Sequence, residues 1–242
     1  IRDRFLALMP FIGCSGQGDA VIGGDDASSA QRGNDTDTSL ARCEGATAFD
    51  YDPLMMRHLG AFPDDVHTRL TSETRTGREI AFQPGFAEYL ASQEEAVALI
   101  YGHLQGLDGW GIAAPAMIRF TGDISAINTT MPGSPDDTIQ LWNIDAATPH
   151  QVPIEVKRTD SAQALMVWPL LPLAPAQRHS LIVTRRYLDA AEGCIAPGNT
   201  LSRLLDGVET APELEEVQQS ILATLTAAAL DPNDISALTT FT

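Results

Sequence analysis

The 242-residue chain is 44% hydrophobic, enough apolar content for one sizeable core with or without an appendage. Its 15 Lys and Arg stand against 32 Asp and Glu, a formal net charge of −17. That balance supplies no basic footprint for phosphate, so it argues against a nucleic-acid partner; it favours solubility and names no other partner.

Residues 1–14, IRDRFLALMPFIGC, place Arg2 and Arg4 ahead of an apolar run that ends at Gly13-Cys14. This is the layout of a signal peptide with its basic region clipped, and the run is too short to span a bilayer. The cysteine at the cleavage point resembles a bacterial lipoprotein signal, although Phe11 stands where Leu is more usual. On that resemblance Cys14 is lipidated, and Ser15 after it fits sorting to the outer membrane. The lipid would then be the chain's contact with the membrane. Residues 15–42 are rich in Gly, Ser, Asp, Asn and Thr, too poor in apolar surface to offset ordering entropy, and read as a flexible tether. Asp19, Asp25, Asp26, Asp35 and Asp37 lack the spacing of an EF-hand loop, so a solvated tether is preferred to a calcium site.

Residues 43–242 read as one domain. Its first part is irregular: Phe49 anchors a turn at Asp50–Pro53, and Phe62-Pro63-Asp64-Asp65 forms another turn patch. Residues 76–82 suggest a short strand entered through Gly77. The period then changes over 84–105, where Leu90, Val97, Ile100, Tyr101 and Leu104 fall at helical spacing. Ser92 and Glu95 fit a capping box, so a helix is expected over about 93–105, stopped by Gly106. The chain is organised around the next stretch, 107–123: a turn at Asp108, Gly109 and Gly111, then an alternating strand over 116–121.

Strands and turns then alternate. Strands are expected at 138–144, 151–157, 164–170 and 179–187. Pro153 cannot donate to a ladder, which marks 151–157 as an edge strand, whereas 164–170 is apolar on both faces and should be central. Residues 201–205 make a short helical turn. A helix over 212–230 begins at Pro212, carries Glu213, Glu215 and Glu216 at its positive end and stops at Asp231-Pro232. Its stripe of Leu214, Val217, Ile221, Leu225 and Ala228 should pack on the strands or on a further domain of the protein. The closing run, 235–242, is strand-like with no later strand to pair with, so a further C-terminal part is expected. The fold class that follows is mainly β: an Ig-like antiparallel sandwich with one or two flanking helices.

Local motifs give no catalytic residue, no metal ligand and no cofactor loop. There is no G-x-S-x-G elbow, no H-E-x-x-H and no C-x-x-C; Gly122-Asp123-Ile124-Ser125 reads as a strand end and turn. His58, His67, His103, His150 and His179 are scattered and read as surface or satisfied core residues. In an exported protein the remaining pair, Cys43 and Cys194, is expected to form a disulfide.

Several blocks in a fixed order carry a family resemblance: Phe62-Pro63-Asp64-Asp65, Thr76-Gly77-Arg78, Leu107–Gly111 leading to Ile118-Arg119-Phe120, and Trp168-Pro169-Leu170 with Pro172–Pro175. From Phe49 onward the chain resembles the N-terminal domain ahead of the α/β-hydrolase domain in bacterial extracellular (virulence-factor-type) lipases and related exported lipoproteins. The last two blocks are also similar to bacterial Ig-like surface domains. The resemblance implies a non-catalytic accessory domain whose partner is a downstream hydrolase domain of the same chain. That family's nucleophile matches no position here. The alternative is an Ig-like surface binding module with no enzyme attached.

Overall fold

Two four-stranded antiparallel sheets enclose the main apolar core of the computed structural model, which describes residues 47–54, 59–92, 95–125, 138–184, 195–208 and 211–242. All of them lie in one compact unit, Ser39–Thr242. In chain order the elements begin with β1 (Thr47–Ala48), β2 (Ala61–Phe62), β3 (Thr68–Leu70), β4 (Arg78–Ile80), α1 (Pro84–Ala91) and α2 (Glu95–Leu104). Then come β5 (Ala116–Arg119), β6 (Ile139–Asn143), β7 (His150–Val152), β8 (Ile154–Arg158), β9 (Ala164–Pro169) and β10 (His179–Thr184). The last are β11 (Ile195–Ala196), α3 (Gly198–Leu205), α4 (Glu215–Ala228) and β12 (Ile235–Phe241). The expected class, a mainly β antiparallel sandwich with flanking helices, is the one observed.

One sheet runs β12-β10-β6-β7 and the other β2-β5-β9-β8. β9 is central, as its two-faced apolar content predicts. The expected edge strand over 151–157 is two strands. Pro153 divides it, and β7 becomes the edge of one sheet while β8 becomes the edge of the other. A residue without an N–H is well placed where the chain leaves one ladder for the next.

The closing run finds its partner earlier in the chain. β12 pairs antiparallel with β10, from His179↔Phe241 to Thr184↔Ile235, and all seven of its residues are buried. Helix α4 packs on β12, and the Ser180 and Thr224 hydroxyls meet at 2.7 Å between β10 and α4. The expected stripe does this: Leu214, Val217, Ile221 and Leu225 are all buried, each worth on the order of 2 kcal/mol. The helix ends two residues earlier than Asp231-Pro232 suggests, at Ala228, and its cap Ala229 takes a left-handed φ of 51°.

The lead-in also departs from expectation. Residues 84–104 make two helices, α1 and α2, around a small second core of Phe86, Phe82, Tyr89 and Tyr101. The Ser92 hydroxyl donates back to the Tyr89 carbonyl at 2.6 Å. Gly77 and Gly106 take φ of 77° and 82°, which makes them the punctuation the sequence suggests.

Candidate functional site

The site grows from a single 3-10 turn, Asp65–His67, which follows β2 and a cis Phe62–Pro63 bond. Asp64 caps that turn: its Oδ1 accepts the Val66 N–H at 2.8 Å. A turn patch of this composition reads as surface, yet Asp64, Asp65 and His67 are 1%, 5% and 1% exposed. Burial is what makes them a site, because a buried carboxylate must be compensated.

Asp65 is compensated by the end of β12. Its Oδ1 accepts the Thr242 N–H at 2.9 Å and its Oδ2 accepts the Thr242 hydroxyl at 2.8 Å. Arg78 of β4 lies behind it, with Nε 3.7 Å from Oδ2, an ion pair too long for a hydrogen bond. The same guanidinium donates to Thr68 Oγ1 at 2.8 Å and pairs with Glu216 in the first turn of α4. Burial pushes the Asp65 carboxyl up, against the opposing pull of Arg78 and Thr242. Thr242 is held a third time, because its carbonyl accepts the Trp110 N–H at 3.1 Å. Gly109 makes that approach possible: its φ is +69°, and a Cβ there would sit 3.0 Å from the Thr242 oxygen.

Asp64 is compensated less well. Burial pushes its carboxyl up to about 7, and hydrogen bonding from Val66 opposes the shift. The Tyr51 hydroxyl lies close enough for the two groups to shift each other's titration, Tyr51 rising through burial and then the Asp64 charge. Even so, Tyr51 Oη, Asp64 Oδ2 and His67 Nδ1 have no hydrogen bond of standard geometry. All three residues line one void of about 10 Å³, which is close to the space of a single water molecule. His67 stacks on Phe86, and burial lowers its pKa to about 4.

A second cavity, of about 270 Å³, opens beside Thr242. Trp110, Ile112, Leu173, Pro175 and Phe241 form apolar walls, and His179 contributes a buried imidazole. Asp108 at the rim accepts from the Arg75 and Thr76 amides and the Thr76 hydroxyl, and those Thr76 bonds hold its carboxyl below the usual range.

Of the residues expected to matter, Cys14, Cys43 and Cys194 lie outside the described residues, as do the acidic residues of 15–42 and His58. His103 and His150 are exposed, whereas His67 and His179 are buried with one ring nitrogen each unsatisfied. The turn at 122–125 is as read, with Asp123 accepting the Ser125 N–H at 2.7 Å. The buried hydroxyls of Ser180, Ser220 and Ser236 are engaged by Thr224, the Glu216 carbonyl and the Ile195 carbonyl. Among the described residues no cluster of His, Cys, Asp and Glu is placed to hold a metal ion, and no helix is long and apolar enough to cross a membrane. The Asp64–Asp65 pair escaped sequence reasoning; the only available signal was two acids beside Pro63, which also describes an ordinary surface turn. No family model matches the chain, and no curated protein or solved structure matches it either.

Proposed function

We propose that this chain is the non-catalytic accessory domain of an exported lipoprotein lipase or esterase, and that it fixes the position of a hydrolase domain in the same protein. The observation that supports this is the threefold hold on Thr242, through its N–H, hydroxyl and carbonyl. A polypeptide leaving β12 would depart from a rigid point, which is what a spacing or orienting domain requires. The order of the resembling blocks supports the same reading, and Cys14 would tether the assembly to the outer membrane. The reading includes a Cys43–Cys194 disulfide. Parallel pairing of β1 with β11 sets Thr47, four residues after Cys43, opposite Ile195, which follows Cys194. The loop closed is long, and the chain-entropy model gives on the order of 4–5 kcal/mol.

The test is turnover of a short-chain p-nitrophenyl ester. The 242-residue chain should be inactive, and activity should appear when the coding sequence beyond Thr242 is included. Saturable turnover by the chain alone, abolished by one serine substitution, overturns the proposal; so does a downstream sequence without a G-x-S-x-G elbow. Detergent-phase partitioning that is unchanged by Cys14→Ser removes the lipoprotein part.

A second reading, an Ig-like surface binding module, is favoured by one feature: the 270 Å³ cavity with mostly apolar walls. Further Ig-like repeats downstream would select it.

A further inference from the structure

We infer that one end of the sandwich is a lipid-contacting surface, a shallow apolar tip that enters the interface of a zwitterionic bilayer. This goes beyond the accessory-domain reading and does not depend on lipid attachment at Cys14.

Two loops form the tip. Residues 110–115, WGIAAP, lead into β5, and residues 170–176, LLPLAPA, leave β9. β5 and β9 are antiparallel with Ala116 opposite Val167, so both loops emerge from the same end of the sheet. They are joined there, because the Leu173 N–H donates to the Ile112 carbonyl at 2.8 Å. Charged residues make up 19% of the chain, yet neither loop holds one, and the Trp110 indole is the only polar side chain in either. The large apolar side chains are turned outward: Ile112, Leu170 and Leu171 are 44%, 58% and 60% exposed. Gly111, Ala113, Ala114 and Pro172 between and beside them are exposed as well. One exposed leucine needs no explanation, but a contiguous charge-free group does.

The scarcity of hydrogen-bonding groups selects the occupant. A protein–protein interface of standard size carries about ten hydrogen bonds and a polar rim, which the side chains of these loops cannot supply. Lipid makes the opposite demand, because it penalises every polar backbone group left without a partner. Much of the loop backbone already meets that demand. Pro115, Pro172 and Pro175 have no N–H to desolvate. The N–H groups of Trp110, Ala114, Leu170 and Leu173 donate to the carbonyls of Thr242, Gly111, Pro153 and Ile112. The remaining backbone groups need water, so the tip reaches the headgroup and upper acyl region and no deeper. Just behind it Trp168 is half-buried, and the Lys157 ammonium lies 5.4 Å from its ring centre. An aromatic ring and a cation on a long stem suit the level of the headgroups. The net charge of −17 repels an anionic leaflet, which leaves a zwitterionic one.

Hydrogen exchange of the 242-residue chain with and without excess phosphatidylcholine vesicles reads the contact where it occurs. Capture of the chain through residues 1–14 alone would not slow these loops. Exchange in 110–115 and 170–176 should slow by at least about three-fold on adding vesicles. The turn at 159–162, at the opposite end of the β8–β9 pair, should be unchanged. Leu170→Asp with Leu171→Asp, at two exposed positions, should remove the slowing in both loops while thermal unfolding shows the fold intact. If that variant fails to fold, Ile112→Asp replaces it. Loops that exchange alike with and without vesicles overturn the inference, as does slowing that survives in a folded aspartate variant. Slowing with protein concentration alone, or on extending the chain past Thr242 without vesicles, assigns the tip to a protein contact and overturns the lipid assignment.

Discussion

Asp64 and Asp65 are neighbours in sequence and equally hidden from water, but the regions around them are built differently. Around Asp65 every carboxylate oxygen has a donor, and Arg78 supplies charge, so the buried acid ties β4, α4 and the end of β12 together. Around Asp64 one oxygen is used in capping, while Oδ2 faces a water-sized void shared with Tyr51 and His67. The comparison teaches that burial alone does not set a carboxylate's role. The partner set decides whether the group is a fastener or a titrating group held in reserve.

The largest effect should come from breaking the fastener. Asp65→Ala strips the Thr242 donors of their acceptor and leaves Arg78 buried with less opposing charge. Loss of one partner from a buried pair costs about 3–5 kcal/mol, and urea unfolding at neutral pH should read a loss of that order. A loss under about 1 kcal/mol would show that the two aspartates are equivalent.

The pH dependence sharpens the contrast. Asp64 titrates at about 7 when folded, above its ordinary 3.8. The folded state therefore holds a proton that the unfolded chain releases. The stability this gives is complete in acid and is lost as pH rises through 7. His67 titrates at about 4 when folded, below its ordinary 6.5. Its contribution is complete above 6.5 and is lost as pH falls through 4. Between roughly pH 4 and 6.5 the two slopes oppose and nearly cancel, each on the order of 3–4 kcal/mol across its window. His67→Phe, placed among Phe82 and Phe86, should uncover a stability that falls from pH 4 to 7. Asp64→Asn should uncover the reverse. Unfolding midpoints across that range, compared with the parent, measure both; parallel profiles for all three proteins would contradict the assignment.

A smaller effect is expected at Gly109. Ala there must hold a left-handed φ and press on the Thr242 carbonyl, for about 1–3 kcal/mol measured by thermal unfolding. The smallest is Tyr51→Phe. Its hydroxyl makes no well-formed hydrogen bond, so stability should move by less than about 1 kcal/mol. The hydroxyl does lower the Asp64 pKa, so the variant should raise the Asp64 midpoint seen by NMR titration.

Legibility in the sequence followed the same division. The sandwich strands could be read because alternation along β8 and two-faced apolar content in β9 are local properties. The stripe on α4 and the turn at Gly109 could be read for the same reason. What could not be read depends on distant partners. Pro153 marks an edge, but only the tertiary pairing shows that it changes sheets. Ile235–Phe241 looks like a strand, but its partner lies in β10. Asp65 meets Thr242 across 177 positions, so nothing near Pro63 distinguishes a buried acid from a surface one. The cavity is assembled from loops around residues 75, 110 and 175 together with the ends of β10 and β12, and no periodicity reports on such a meeting.

The central claim is that Asp65 fixes the end of β12, and amide hydrogen exchange at Thr242 tests it most directly. A residue in this position ordinarily exchanges freely. In the 242-residue chain the Thr242 amide should be protected to a degree comparable with the Thr239 and Phe241 amides of β12, which pair with β10, and Asp65→Ala should abolish its protection while those amides keep theirs. Free exchange at Thr242 in the parent protein, or protection that survives loss of the Asp65 carboxylate, would contradict the claim.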